Sequence, residues 1–306
     1  MKLNEIRDGS TGNAIFWVKS KVSSRARNGS TYLSLSVADT TLELKAKIWN
    51  ADELTTQLCS GDFIQASFQA QIYNDSLQLV LSDVLPASPS EYSPTDFFKK
   101  AKYDTDVMYN KLLEYATSIK DDDVRRLVLS FYEDELFSKE MRTMPAAKSI
   151  HHSFIGGLLQ HTLFVTRNAA TLSKLYSVDY DLCVAAAMLH DIGKLKELTN
   201  VPAVEFTLEG VALGHLSMSC FALDRRMHDL GIDGEKSIKL LHCVLAHHGQ
   251  KDWGSPVVPA CPEAVVVHVS DLLDARIEAM LEEIESSTSD SSTTEFNRFL
   301  GTSLIK

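Results

Sequence analysis

Seven residues that can bind metal or move protons follow one another through the second half of the chain. They are His161 in GGLLQHTLF, His190 and Asp191 in AAAMLHDIGK, His215 in ALGHLSM, His247 and His248 in VLAHHG, and Asp271 in VHVSDLLDAR. Each stands in or beside an apolar helical stretch, about one position per helix, at intervals of 24 to 32 residues. Helices packed side by side can therefore converge them on one point. Burying so many imidazoles and carboxylates is costly unless they share a countercharge, and a metal supplies one. Neutral imidazole with carboxylate and no thiolate suits divalent first-row ions such as Mn, Fe, Co, Ni or Zn, and the thiolate-rich pattern of structural zinc is missing.

The His190-Asp191 pair stands at a helix end, just before Gly193 releases the helix, so both side chains can point into one site. A lone His-Asp dipeptide is a weak signal; its weight comes from the ordered set around it. The competing reading, a group of satisfied polar residues in the core, requires four coincidences in sequence order. Neighbours on a helix diverge by ~100°, which leaves open whether His247 and His248 are both ligands or one of them only hydrogen-bonds. His151 and His152 lie just before the first of these helices, within reach of a substrate; for them, as for His242 and His268, packing is the more ordinary role. Lys194, three residues after Asp191, is placed to carry positive charge to such a site, against the alternative of a charge favourable to the helix dipole. Arg276 is a candidate for the same task, with a salt bridge on the last helix as the alternative.

The elements that must position these residues are helices expected near 104–119, 122–136, 154–176, 180–190, 209–229, 235–248 and 262–285. They are punctuated by Asp191-Ile-Gly193, by Gly231 with Gly234, and by SPVVPACP. The run Asp121-Asp122-Asp123 reads as a solvated helix start. Before them, residues 14 to 85 alternate in short β-rich segments, as in Leu33, Leu35 and Val37 or Leu42, Leu44, Ala46 and Ile48, with turn chemistry at Asn28-Gly29 and Asn74-Asp75. Five strands in that span predict a small closed barrel. PASPSEYSPTDF, with Pro86, Pro89 and Pro94, reads as a linker, which places a boundary near residue 90. The closing SSTSDSSTTEFNRFLGTSLIK is Ser/Thr-rich and expected to be mobile.

Composition sets limits. A chain of 306 residues that is 44% hydrophobic can build one large or two medium cores. It lacks any run near ~18 apolar residues and any apolar leader, so a soluble cytoplasmic protein with no membrane partner is expected. Cys59, Cys183, Cys220, Cys243 and Cys261 show no CxxC spacing and read as reduced core residues. A net charge of −11 excludes binding nucleic acid through a global basic surface. Residues 1 to 90 are nevertheless near neutral, with eight Lys/Arg against nine Asp/Glu.

The order His161, His190-Asp191, Asp271, with His215, His247 and His248 as extra ligands, resembles the HD superfamily of phosphohydrolases. IHHSFIGGLLQHTLFV, the stretch through DLLDAR, and YLSLSVAD with LELKAKIWN extend the likeness over nearly the whole chain, to the YhaM family of 3′-to-5′ exoribonucleases. The resemblance implies a β plus α protein with an OB-fold single-strand-binding barrel at 1–90. Linker and connecting helices follow at 91–135, an all-α HD phosphohydrolase domain at 136–285 and a tail at 286–306. It also implies a homo-oligomer, for which no heptad seam is present.

The implied activity is hydrolysis of single-stranded RNA, with single-stranded DNA as a second substrate, to nucleoside 5′-monophosphates. The implied cofactor is a pair of divalent ions, Mn²⁺ or Co²⁺ first, with Fe²⁺, Ni²⁺ or Mg²⁺ as substitutes. Asp191 would bridge the two ions, with His161, His190 and Asp271 on one and His215, His247 and His248 on the other, and water activated there would attack phosphorus in line. Lys194 and Arg276 would offset developing charge. On the barrel the expected contacts are Tyr32 and Trp49 for base stacking and Arg25, Arg27, Lys45 and Lys47 for phosphates, drawn from an inventory that also holds Phe16, Trp17, Phe68, Tyr73, Lys19 and Lys21. Two other functions compete: a phosphodiesterase acting on a small or cyclic nucleotide, and a non-catalytic single-strand-binding protein.

Overall fold

A computed structural model of the chain describes residues 1–26, 29–49, 51–148, 152–200, 204–287 and 291–306. The chain divides into two compact units, Met1–Lys99 and Lys100–Asn200 with Val204–Lys306. The first division thus falls beyond the Pro/Ser-rich stretch rather than within it, because that stretch packs. Tyr92 stacks on Phe63 at 3.9 Å, and Phe97 and Phe98 meet Phe63 edge to face.

The first unit is a five-stranded closed barrel of β1 (Thr11–Arg25), β2 (Thr31–Ala38), β3 (Glu43–Ile48), β4 (Phe63–Tyr73) and β5 (Ser76–Pro86), ordered β1-β2-β3-β5-β4, with α1 (Glu53–Thr56) between β3 and β4. All neighbours are antiparallel except β3 and β5. This is the OB-fold arrangement expected from the sequence. Alternation supplies the core: Leu33, Leu35, Val37, Leu44, Ala46 and Ile48 all point inward and are buried. At the β4–β5 turn Asn74 and Asp75 both take positive φ, the left-handed conformation that Asn and Asp tolerate, and Tyr73 pairs with Ser76. Asn28 and Arg27 lie outside the described residues.

The second unit contains α2 (Thr105–Ser118), α3 (Asp122–Tyr132), α4 (Glu135–Thr143), α5 (Gly157–Tyr176), α6 (Tyr180–Leu189), α7 (Lys194–Glu197), α8 (Leu208–Leu230), α9 (Glu235–Leu245) and α10 (Pro262–Ser286). Helix α6 is apolar all round and buried from Leu182 to Leu189, as a central helix must be. Two details depart from expectation. Helix α4 is separate, because Asp134 caps it through the Phe137 N–H. The tail at 291–306 folds back on itself, with bridges Thr293–Ile305 and Asn297–Thr302, Leu304 buried, and Asn297 donating to Glu283 at 2.6 Å. Its serines and threonines hydrogen-bond locally, which composition alone does not show. Among the described residues no helix is long and apolar enough to cross a membrane.

Candidate active site

Five helix segments deliver the ordered residues to one place. His161 projects from the middle of α5, and His190 and Asp191 follow the end of α6. His215 lies inside α8, His247 and His248 follow the end of α9, and Asp271 sits on α10. Gly214 takes φ +68° and breaks α8 one residue before His215, a bend that a side chain would strain. Gly249, at φ +78°, ends the His247-His248 turn. A Cβ there would lie 2.2 Å from the His268 ring, whose Nδ1 donates to the His247 carbonyl at 2.7 Å.

Each of the five histidines has its Nδ1 occupied. His190 donates to Ala187 O at 2.8 Å, His247 to Val244 O at 2.6 Å and His248 to Trp253 O at 3.1 Å. His161 meets Asp274 Oδ2 at 2.7 Å and His215 meets Glu197 Oε1 at 3.0 Å. Carbonyls only accept, so in the neutral rings of His190, His247 and His248 the lone pair is on Nε2. These Nε2 atoms crowd together: His161 and His190 are 3.2 Å apart, and His215 and His248 are 3.3 Å apart.

Asp191 lies between the two groups. Its Oδ2 is 3.4 Å from His161 Nε2 and 3.3 Å from His190 Nε2, while its Oδ1 is 3.5 Å from His215 Nε2 and 3.6 Å from His247 Nε2. Asp271 Oδ1 reaches His161 Nε2 at 3.2 Å. Among the described residues Asp191 Oδ1 is buried with no hydrogen-bond partner, a placement costly for a carboxylate oxygen unless a cation completes it. Imidazole nitrogens crowded around an orphaned carboxylate oxygen are the donor set of a divalent cation, and His161, His190 and Asp191 as well as His215, His247 and His248 form compact groups able to hold one. The residues fit a metal.

Electrostatics agree with the geometry. Burial would raise the Asp191 carboxyl, but Lys194 and His190 hold it well below the usual carboxylate range. Burial likewise opposes ionisation of Asp271, and the hydrogen bond from His161 overcomes it. Burial pushes His247 and His248 down, reinforced by His190 and His215 respectively. His161 differs: burial would lower it, yet Asp191, Asp271 and Asp274 raise it well above the ordinary histidine value.

Lys194 lies against the cluster, its Nζ 2.7 Å from Asp191 Oδ2 and its side chain largely buried. Arg276 does not join it. Five residues beyond Asp271, about 140° around the helix, it faces the tail instead, 5.9 Å from the Phe299 ring. His152 is fully buried behind His161, with Nε2 2.9 Å from Asp274 Oδ2, so it does not face a substrate; His151 lies outside the described residues. Sequence reasoning missed Asp274 and Glu197. Asp274 had a signal in DLLDAR, where it falls one turn beyond Asp271; Glu197 had none.

On the barrel the register puts Tyr32, Lys45, Lys47 and Trp49 on one outward face of β2 and β3, where Ser34 pairs with Lys47 and Ser36 with Lys45. The Tyr32 and Trp49 rings are 5.1 Å apart, Lys47 Nζ is 4.6 Å from the Tyr32 ring, and Trp49 is half exposed. Arg25 stands opposite Thr31, on the other face of its strand but exposed at its end. Phe16 and Phe68 are core residues in edge-to-face contact, Trp17 is covered by Phe98, and Tyr73 is exposed. Lys19 pairs with Glu43, and Lys21 donates to Thr56 O at 2.8 Å.

A helical bundle that gathers histidines around a His-Asp pair defines an HD-domain phosphohydrolase, and the HD domain family matches residues 158–276; HD domains are metal-dependent. The chain belongs to the YhaM family and is an enzyme, a nuclease of the HD class. It is similar to the 3′-5′ exoribonuclease YhaM of Oceanobacillus iheyensis, 34% identical over 265 residues, 85% of this chain and 82% of that protein. YhaM of Listeria innocua is 32% identical over 286 residues, covering 91% and 90%, and that of Halalkalibacterium halodurans 33% over 277, covering 89% and 85%. Among solved structures, the second OB-fold domain of replication protein A from Methanococcus maripaludis is 19% identical, covers 29% of this chain and 94% of its own, and has a TM-score of 0.24.

Proposed function

We propose that the chain is a 3′-to-5′ exoribonuclease that converts single-stranded RNA, and also single-stranded DNA, to nucleoside 5′-monophosphates with two divalent ions, Mn²⁺ foremost. The observation that carries this reading is the way the two oxygens of Asp191 divide the histidines, Oδ2 toward His161 and His190 and Oδ1 toward His215 and His247. His161, His190 and Asp271 would hold one ion, and His215, His247 and His248 the other. Ions there supply Lewis-acid charge for phosphoryl oxygens and bring the pKa of water toward 7.

The chain's own residues do the rest. Asp191 stays ionised at any ordinary pH, and His247 and His248 stay neutral. Lys194 fixes a positive charge beside the position of a phosphate. The outward face of β2 and β3 offers Tyr32 and Trp49 for stacking and Lys45 and Lys47 for phosphates. We assign the grip to the barrel and hydrolysis to the helical unit. Cys243 and Cys261 remain free thiols with their sulfurs 3.9 Å apart, which suits the reducing cytoplasm. Single-stranded RNA labelled at its 5′ end, incubated with purified protein and Mn²⁺, should shorten from the 3′ end to a ladder and release nucleoside 5′-monophosphates, and chelation should stop it. Internal cleavage, or hydrolysis indifferent to chelator, would overturn the reading.

A further inference from the structure

The five histidines are held by two different kinds of acceptor. His190 and His247 follow the ends of α6 and α9, where the last carbonyls have no partner within the helix, and each ring donates to the carbonyl three residues before it. His248 uses a carbonyl five residues on. These three are aimed by backbone carbonyls close by in sequence. His161 lies in the middle of α5, and its Nδ1 faces a carboxylate rather than a helix-end carbonyl. His215 follows the break at Gly214. Both take a carboxylate from elsewhere in the chain. Asp274, buried on α10, meets His161 across 113 positions of sequence. Glu197, buried on α7, accepts from His215 twice with the same oxygen, from the backbone N–H at 2.9 Å and facing Nδ1 at 3.0 Å.

We propose that Asp274 and Glu197 are a matched pair of positioning residues, one on each side of Asp191, each holding a histidine with Nε2 turned inward: Asp274 for His161 and Glu197 for His215. The inference rests on reading the cluster as a site for two divalent ions. A carboxylate behind an imidazole fixes its tautomer and rotation and makes its Nε2 a stronger donor. With Asp191 and Asp271, the pair brings four carboxylates to balance two divalent cations. Asp274 also accepts from His152, whose buried ring braces the carboxylate from behind.

The test is calorimetric titration of the full chain with Mn²⁺, alongside RNA hydrolysis. Asp274→Asn and Glu197→Gln keep side-chain shape and remove the charge. Each should weaken one Mn²⁺ site by ~10–100-fold and leave the other within about threefold. Because the defect is in metal occupancy, kcat at low Mn²⁺ should fall while KM for RNA holds, and saturating Mn²⁺ should restore most of the rate. A merely structural role would not be rescued by metal. Glu197→Gln should add nothing to His215→Ala but its full effect to His161→Ala, with the converse for Asp274→Asn. Should either neutral variant fail to fold, Asp274→Glu and Glu197→Asp, which keep the charge and change its reach, should give intermediate affinity. Mn²⁺ affinity within threefold of wild type in both neutral variants, or an effect undiminished on the matched histidine-to-alanine background, overturns the pair and leaves the Asp191-centred site standing. A wild-type protein that takes up no Mn²⁺ overturns both.

Discussion

The barrel and the helical unit deal with polar groups in opposite ways. In the barrel the alternation of each strand sends Leu33, Leu35 and Val37 inward and Tyr32, Ser34 and Ser36 outward, and the polar and aromatic groups available to a ligand stay on the surface. The helical unit instead buries His161, His190, Asp191 and His247 in its interior. A surface residue contributes to binding at little expense to the fold, whereas a buried ionisable group destabilises the fold unless its neighbours or a cation compensate it. Substitutions in the two regions should therefore fail differently.

The largest separation is expected from Asp191→Ala. Hydrolysis of RNA at saturating Mn²⁺ should drop more than about 100-fold, roughly 3 kcal/mol of transition-state stabilisation or more, with the far-UV circular dichroism largely retained. A variant keeping more than about a tenth of wild-type activity would mean that Asp191 is not the centre of the chemistry.

On the barrel, Tyr32→Ala with Trp49→Ala should act on binding. Losing a stacking contact costs about 1–3 kcal/mol per base, read as a rise in KM for long RNA, while turnover of a dinucleotide is unchanged. Equal losses on both substrates would erase the division of labour.

Acid should separate the units next. All ten histidines lie at or beyond His151, so the barrel has none. In metal-free protein His247 and His248 are lowered by burial, so the unfolded chain takes up protons that the folded one refuses, and stability is lost as pH falls below about 6.5. His161 is raised, and its contribution is lost as pH rises but complete by about pH 6.5, so it does not offset the loss below that value. Between about pH 6.5 and 5, still above ordinary carboxylate pKa values, protection against hydrogen exchange, taken relative to the intrinsic rate at each pH, should fall in α5 to α10 and stay nearly flat in β1 to β5. A uniform response would contradict these shifts.

The smallest effect concerns salt. Lys47→Ala should reduce the slope of log affinity for single-stranded RNA against log salt by about 0.7, the contribution of one neutralised phosphate. An unchanged slope would show that Lys47 is occupied by the Tyr32 ring and Ser34 rather than by RNA.

Much of this was legible in the chain itself. A period-two pattern can bury only one face, so the five strands and their core residues followed from alternation, and the ordered His161, His190-Asp191, His215, His247-His248 and Asp271 announced the cluster that the helices bring together, because burying such groups singly is costly. Tertiary structure alone decided the rest. Whether both His247 and His248 turn inward depends on where α9 ends. The removal of Arg276 to the Phe299 ring depends on a tail that folds back. The roles of Asp274 and Glu197 depend on how α10 packs against α5 and α7 against α8, since each carboxylate reaches its histidine from another helix.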